Sequence, residues 1–200
     1  MSIFKGTLCF SVLLILFSVQ GLANDLVARV EKAYQETVVL RAEFVQRTYV
    51  ELLEKEVVEE GALLLAKPGR FAIHYHGKRE RKYLSDGRRL WIVYPGEKEI
   101  ETIANVREAV SQEALAFLSG LAEMNREFDV SVKKDTGVSK RLELRPRSER
   151  SPFKKIILVI DPESYLAREI YLYPRSGNQS HYLLKRLKTG DSVTDQSFRP

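Results

Sequence analysis

Apolar and polar residues alternate along most of this chain. In one such run, Phe71, Ile73 and Tyr75 fall on one face, and the residues between them are small or polar. A period of two is typical of β-strands. Asp86-Gly87 separates two runs and predicts a hairpin turn, because this dipeptide readily adopts the positive φ that such turns need. The recurring pattern predicts about ten to eleven strands, each paired with its neighbour in sequence.

Two segments depart from this alternation and have helical spacing instead. The first begins at Asn24 or Asp25, either of which can cap a helix, and ends before Thr37. The second covers residues 104–124 and lies between strands, so it must pack on a face of the sheet. Its apolar residues are Val106, Val110, Ala114, Leu115, Phe117, Leu118 and Leu121.

The run 90–94, Leu-Trp-Ile-Val-Tyr, is apolar on both faces, so both faces need a cover. A strongly curved sheet with both helical segments across its concave side supplies a cover for one face. The sequence therefore predicts a mainly β fold: an unclosed (half) antiparallel β-barrel with an N-terminal helix and a mid-chain helical lid over the concave face. The tail 195–200 could begin one further strand.

The first 23 residues have the form of a secretory signal. Lys5 is followed by an apolar stretch at 8–17 and by the small-residue site Gly21-Leu22-Ala23. The alternative is an uncleaved anchor, but about ten apolar residues are too few to span a bilayer. The only cysteine, Cys9, lies inside the apolar stretch and is not suited to lipid attachment. We therefore expect cleavage after about Ala23 and one exported domain, residues 24–200.

The charge pattern argues against a nucleic-acid partner. The net charge is +5, but basic runs such as 79–82 and 145–150 are interrupted by glutamates. A nucleic-acid binder more often has a basic patch of a single sign with aromatic residues in it. Solvated strand edges and turns explain these runs, and attraction to an anionic membrane or an acidic partner is the alternative.

Candidate chemistry is sparse, and the sequence predicts no enzyme, cofactor or metal site. His74 and His76 share one strand face, but no third metal ligand lies near them in sequence. No nucleophile motif or glycine-rich phosphate loop is present. The apolar residues exceed the needs of a sheet buried on one side, so they form either an ordinary core or a ligand cavity. Periodicity alone does not decide between these two.

Several motifs resemble those of one known family. Phe44-Val45-Gln46 precedes Gly61, and a strand then leads into Lys67-Pro68-Gly69-Arg70-Phe71. Ser85-Asp86-Gly87-x-x-Leu90-Trp91 and Tyr94-Pro95 follow. This order resembles the outer-membrane lipoprotein carrier family, LolA. The resemblance implies an unclosed barrel with a helical lid. It also implies a periplasmic chaperone that takes acylated lipoproteins from an inner-membrane ABC transporter and passes them to an outer-membrane acceptor.

The resemblance also implies roles for particular residues. An arginine that hydrogen-bonds to the lid is common in the family before the proline, and Lys67 stands there in this chain. Lysine lacks the planar fork of arginine, so we expect a weaker latch. The lid is expected to carry Leu115, Phe117 and Leu118. The residues expected to line the acyl-chain cavity are Phe44, Leu63, Leu65, Phe71, Ile73, Trp91 and Val93.

Two other functions remain open at this stage. The first is a lipid- or glycolipid-binding or envelope-sensing module that uses the same half-barrel. The second is an enzyme, but the sequence contains no recognisable set of catalytic residues to support it. The carrier is expected to be a monomer without a cofactor.

Overall fold

The computed structural model describes residues 20–97, 99–110, 124–136 and 139–200. Within them, three helices accompany eleven strands. The helices are α1 (Gln20–Glu36), α2 (Val106–Ala109) and α3 (Met124–Glu127). The strands are β1 (Val39–Val50), β2 (Lys55–Ala66), β3 (Arg70–Tyr75), β4 (Arg81–Ser85), β5 (Leu90–Val93), β6 (Glu101–Ile103), β7 (Phe128–Thr136), β8 (Ser139–Pro146), β9 (Phe153–Ile160), β10 (Ala167–Pro174) and β11 (Gln179–Gly190).

All eleven strands belong to one antiparallel sheet in the order β6-β5-β4-β3-β2-β1-β11-β10-β9-β8-β7. β6 and β7 stand at its two edges, so the sheet is not closed, and the predicted fold class is confirmed. The pairing follows sequence order except between β1 and β11, which joins the two halves of the chain. None of the helices in the described ranges is long and apolar enough to cross a membrane.

The predicted hairpin between β4 and β5 is present. Gly87 has a φ of 88°, and the Asp86 carboxylate accepts hydrogen bonds from the backbone N–H groups of Arg88 and Arg89 at 3.0 Å. The turn thus has the positive φ that the sequence pattern indicated, and the Asp86 side chain in addition bonds its own loop.

Helix α1 covers one face of the sheet, here named the inner face. Leu26, Val30 and Tyr34 are buried there in the main core, together with apolar residues of β7 to β10. The Tyr34 hydroxyl accepts a hydrogen bond from the backbone N–H of Ala167 at 3.1 Å. Burial raises the pKa of Tyr34 to about 12, so the phenol stays neutral and ties α1 to β10. Within the described residues the helix already includes Gln20, upstream of the predicted cap at Asn24 or Asp25, and Leu22 and Ala23 also favour a helix.

A second cluster occupies the other half of the inner face. Phe71, Leu90 and Val106 are buried together, which places the start of α2 over β3 and β5. Asn105 caps α2 by accepting from the backbone N–H of Arg107 at 3.1 Å. The mid-chain segment, residues 104–124, therefore begins on the inner face of the sheet.

The same segment also ends on the inner face. Met124, the first residue of α3, is buried in the main core. Asn125 donates two hydrogen bonds to Glu31 of α1, one of them from Nδ2 at 3.0 Å. The predicted lid residues Leu115, Phe117 and Leu118 lie in residues 111–123, outside the described residues.

The C-terminal tail packs on the opposite, outer face of the sheet. It forms a short 3-10 turn, Asp195–Phe198, instead of the further strand that the sequence suggested. Phe198 is fully buried against Val39 and Ala66, and the guanidinium of Arg70 lies 5.1 Å from the centre of its ring. The turn thus places this aromatic ring over the apolar side chains of Val39 and Ala66.

Candidate functional site: an apolar cavity on the inner face

A cavity of about 160 Å³ lies at the centre of the inner face, between the two clusters described above. It is bordered by strands from both halves of the sheet. Its lining residues are Phe44, Leu63, Ile73, Tyr75, Phe153, Ile156, Ile170, Leu172, Tyr182 and Leu184. Eight of these ten side chains are hydrocarbon, so the cavity suits an apolar ligand.

Gly61 makes room for the aromatic side of this cavity. It lies opposite Phe44 in the β1–β2 pair and opposite Tyr75 in the β2–β3 pair. A Cβ atom on Gly61 would overlap the carbonyl oxygen of His74 and come within 2.5 Å of Phe44 Cζ. The Phe44 ring therefore lies over a position without a side chain and meets Tyr75 edge-on, with 5.1 Å between ring centroids.

Three of the seven residues predicted to line an acyl-chain cavity line this one: Phe44, Leu63 and Ile73. Leu65 and Phe71 lie on the same inner face but pack in the neighbouring cluster beneath Val106. Neither of these two residues borders the cavity.

The prediction for Trp91 and Val93 is wrong. Leu90 and Ile92 of β5 pack in the inner cluster with Phe71, and side chains alternate along a strand, so Trp91 and Val93 point to the outer face. The run 90–93 is apolar on both faces, so its pattern contains no signal for choosing between them.

Sequence reasoning missed the lining residues that come from the second half of the chain. Ile170 and Leu172 of β10, and Tyr182 and Leu184 of β11, have the i, i+2 spacing of one strand face. That spacing could have marked them as inward-facing. Their place beside Phe44 depends on the β1–β11 pairing, which joins residues far apart in sequence.

A chain of hydrogen-bonded polar side chains begins at Tyr75, one of the two tyrosines that border the cavity. Tyr75 donates its hydroxyl proton to Gln46 Oε1 at 2.8 Å, and Gln46 Nε2 donates to Thr48 Oγ1 at 2.8 Å. The Thr48 hydroxyl is in turn hydrogen-bonded to Ser180 at 2.9 Å. Burial raises the pKa of Tyr182 well above its usual range, and the neighbouring Tyr75 raises it further. Both phenols are therefore neutral hydrogen-bonding groups at neutral pH.

An ion pair lies against the Tyr75 ring. Arg81 Nη1 lies 2.8 Å from Glu59 Oε1, and the guanidinium is stacked 3.8 Å above the Tyr75 ring. The two side chains are only 19% and 16% exposed, so the pair is poorly screened by water. The hydrogen bond from Arg81 holds the pKa of Glu59 below its usual value and keeps this carboxylate charged.

Lys67, the predicted latch residue, contacts α1. Its ammonium group donates hydrogen bonds to the carbonyl oxygens of Tyr34 and of Gln35, the latter at 2.9 Å. The last turn of α1 contains no basic residue of its own. Lys67 therefore supplies a positive charge to the carbonyl end of the helix, where the helix dipole favours one. Partial burial lowers the pKa of Lys67.

In this conformation the cavity is small. An engineered apolar cavity of about 150 Å³ binds one benzene molecule. At about 160 Å³, the cavity in this chain accommodates only part of one long acyl chain. A larger apolar ligand requires the elements that cover the inner face to move.

An unclosed antiparallel sheet with helices and an apolar cavity on one face defines a half-barrel binding protein. The family model described as "Outer membrane lipoprotein carrier protein LolA" matches residues 35–200. The chain therefore belongs to the LolA family.

Curated relatives agree with this assignment, and solved structures share the fold. An outer-membrane lipoprotein carrier protein of Legionella pneumophila (strain Corby) is 26% identical over 192 residues, which cover 95% of this chain and 92% of the relative. A crystal structure of an uncharacterized conserved protein from Thermus thermophilus has a TM-score of 0.56 at 10% identity, covering 88% of this chain and 93% of that one. MucB has a TM-score of 0.54 at 14% identity, covering 90% and 63%. Both structures show a shared fold.

Proposed function

We propose that the chain is a periplasmic carrier chaperone that shields the acyl chains of lipoproteins and moves them from the inner to the outer membrane. The observation that carries the proposal is the apolar cavity between the two halves of the sheet. Family membership and the names of the curated relatives support lipoprotein as the cargo. No chemical step is needed for this function, so the protein acts by binding and not as an enzyme.

The proposed cargo must be bound no more tightly than a membrane binds it. Burying one methylene group is worth about 0.8 kcal/mol, in a protein cavity as in a bilayer. Transfer in either direction then depends on a small difference between two large and similar free energies. A cavity that is small when empty and enlarges on loading meets this requirement, because closing the empty site offsets part of the gain from burying the ligand.

The mid-chain segment is the proposed lid. Val106 at its start and Met124 at its end are buried in the two clusters that flank the cavity. Residues 111–123 connect these two anchors, and we propose that Leu115, Phe117 and Leu118 cover the empty cavity and move away when it is loaded. Lys67 holds the neighbouring helix α1 and thus helps to keep the empty state closed.

The further partners follow from this function. The donor is proposed to be an inner-membrane ABC transporter and the acceptor an outer-membrane protein, with the carrier acting as a monomer. The signal at residues 1–23 would place the mature chain in the periplasm after cleavage near Ala23.

A second candidate is a lipid- or glycolipid-binding or envelope-sensing module. The small volume of the cavity favours this candidate, because a ligand with one acyl chain would need less opening than a lipoprotein with several. Mass spectrometry of the protein purified from the envelope of its own cells separates the two. Acylated proteins that co-purify support the carrier, whereas a free lipid as the bound species supports the module and contradicts the carrier.

A further inference from the structure

Exposed apolar side chains cluster at the hairpin that joins β1 to β2. Tyr49 and Val58 are 44% and 50% exposed there, and Leu52 and Leu53 at its tip are 91% and 60% exposed. They are half of the eight large apolar side chains that are exposed in the described residues. We propose that this hairpin inserts its tip into the surface of an anionic lipid bilayer, so that the chain binds membranes reversibly. This inference goes beyond the proposed function, in which the donor and the acceptor are proteins.

The hairpin projects beyond the neighbouring strand. β2 pairs with β3 only over Gly61–Ala66, so the six residues 55–60 at its start extend past the end of β3. At about 3.3 Å per residue, the tip lies roughly 20 Å beyond that end. Such a tip can enter a bilayer while the rest of the sheet stays in water. A fluid bilayer adapts to a convex apolar tip, whereas a protein partner would need a pocket of matching shape.

The tip is held in one conformation by its own turn and by the adjacent turn between β10 and β11. Glu54 has a φ of 47°, and its backbone N–H donates to the carbonyl oxygen of Glu51 at 3.2 Å. The backbone N–H of Glu51 donates to Asn178 Oδ1 at 3.1 Å, and the Glu51 carboxylate occupies the space that a side chain on Gly177 would need. Because the turn is already ordered, its insertion loses little conformational entropy.

The charges of the chain favour an anionic bilayer. The net charge is +5, and the predicted signal contributes only one of these positive charges. Glu51 and Glu54 flank the leucines, but Arg150 and Arg175 are exposed in the neighbouring turns and offset them. These turns contact each other, since the backbone N–H of Arg175 donates to the carbonyl oxygen of Pro152 at 2.7 Å. A short apolar tip binds a membrane weakly by itself, and the positive charge of the chain supplies the second attraction that such binding needs.

Co-sedimentation with vesicles tests the proposal. The probe is vesicles of phosphatidylethanolamine and phosphatidylglycerol, and vesicles of phosphatidylcholine are the uncharged comparison. We expect the partition coefficient of the purified protein to be at least about threefold higher on the anionic vesicles. Equal partitioning would overturn the charge argument. Absence of binding to the anionic vesicles would overturn the proposal and assign the tip to a protein partner instead.

Substitution of the two leucines locates the effect. Leu52→Ser/Leu53→Ser should weaken binding to the anionic vesicles by about tenfold or more, because the tip loses its apolar surface while the charge stays the same. Val38→Ser/Leu183→Ser is the matched control, since these two side chains are also exposed but lie outside the hairpin. Unchanged binding by the tip variant, or an equal loss in the control, would contradict insertion and indicate adsorption by net charge alone.

A fluorescent label gives an independent test. Cys9 is the only cysteine and lies in the predicted signal, so Leu52→Cys gives the mature chain a single thiol. An environment-sensitive label on this thiol should shift its emission to the blue when the anionic vesicles are added. The same label on Val38→Cys, at the other end of β1, should show no shift. No shift at position 52, or an equal shift at both positions, would overturn insertion through the tip.

Discussion

Replacing Lys67 by methionine tests how α1 is held on the sheet. Methionine keeps most of the apolar stem of lysine but removes the ammonium group, which donates to the carbonyl oxygens of Tyr34 and Gln35. Both carbonyls belong to the last turn of α1, which contains no basic residue. The variant thus leaves these two acceptors without their charged donor and removes the positive charge that interacts with the helix dipole.

The magnitude follows from these contacts. A hydrogen bond to a charged group contributes about 1.5–3 kcal/mol when it is well buried. Lys67 is only partly buried, so water can replace part of this interaction at the helix end. The interaction with the helix dipole adds about 0.3–1 kcal/mol. We therefore expect Lys67→Met to lower the free energy of unfolding by about 1–2 kcal/mol.

Urea unfolding followed by far-UV circular dichroism measures this change, and hydrogen exchange locates it. Faster exchange should be confined to the last turn of α1. Lys154→Met is the matched control, because Lys154 is exposed. A loss of less than about 0.3 kcal/mol, or a loss equal to that of the control, would refute the role of Lys67 as the cap of α1.

Three further predictions concern the same region. Tyr34→Phe leaves the buried N–H of Ala167 without an acceptor and should cost about 1–3 kcal/mol in urea unfolding; a neutral effect would contradict the tie to β10. Gly61→Ala should cost about 1–3 kcal/mol and displace the Phe44 ring, visible as a changed aromatic NMR signal; an unchanged signal would contradict the packing. The pKa of Glu59 is lowered in the folded state, so its stabilising effect is complete above the unfolded pKa and is lost as the pH falls through the folded one. Glu59→Gln should therefore show a smaller loss of stability than the original chain on acidification from about pH 6 to about pH 3, and parallel curves would contradict this.

The local patterns of the sequence were enough to predict the strands and part of the cavity lining. The alternation of Phe71, Ile73 and Tyr75 placed all three on the inner face, and Asp86-Gly87 formed the expected turn. Both features depend only on neighbouring residues.

The remaining errors have physical causes. Trp91 could not be assigned to a face, because its neighbours are apolar in both directions along β5. The residues of β10 and β11 reach the cavity only through the long-range pairing of β1 with β11, which periodicity does not encode. The contact of Lys67 with α1 likewise joins residues more than 30 positions apart.

The most direct measurement of the central claim is photocrosslinking from inside an acyl chain. A lipopeptide carrying a diazirine near the end of one palmitoyl chain is bound to the protein and irradiated, and the labelled residues are identified by mass spectrometry. The account predicts labels on Phe44, Ile73 and Ile170, with none on the outer-face residues Trp91 and Tyr171. Labels confined to the outer face, or absent from all three lining residues, would contradict it.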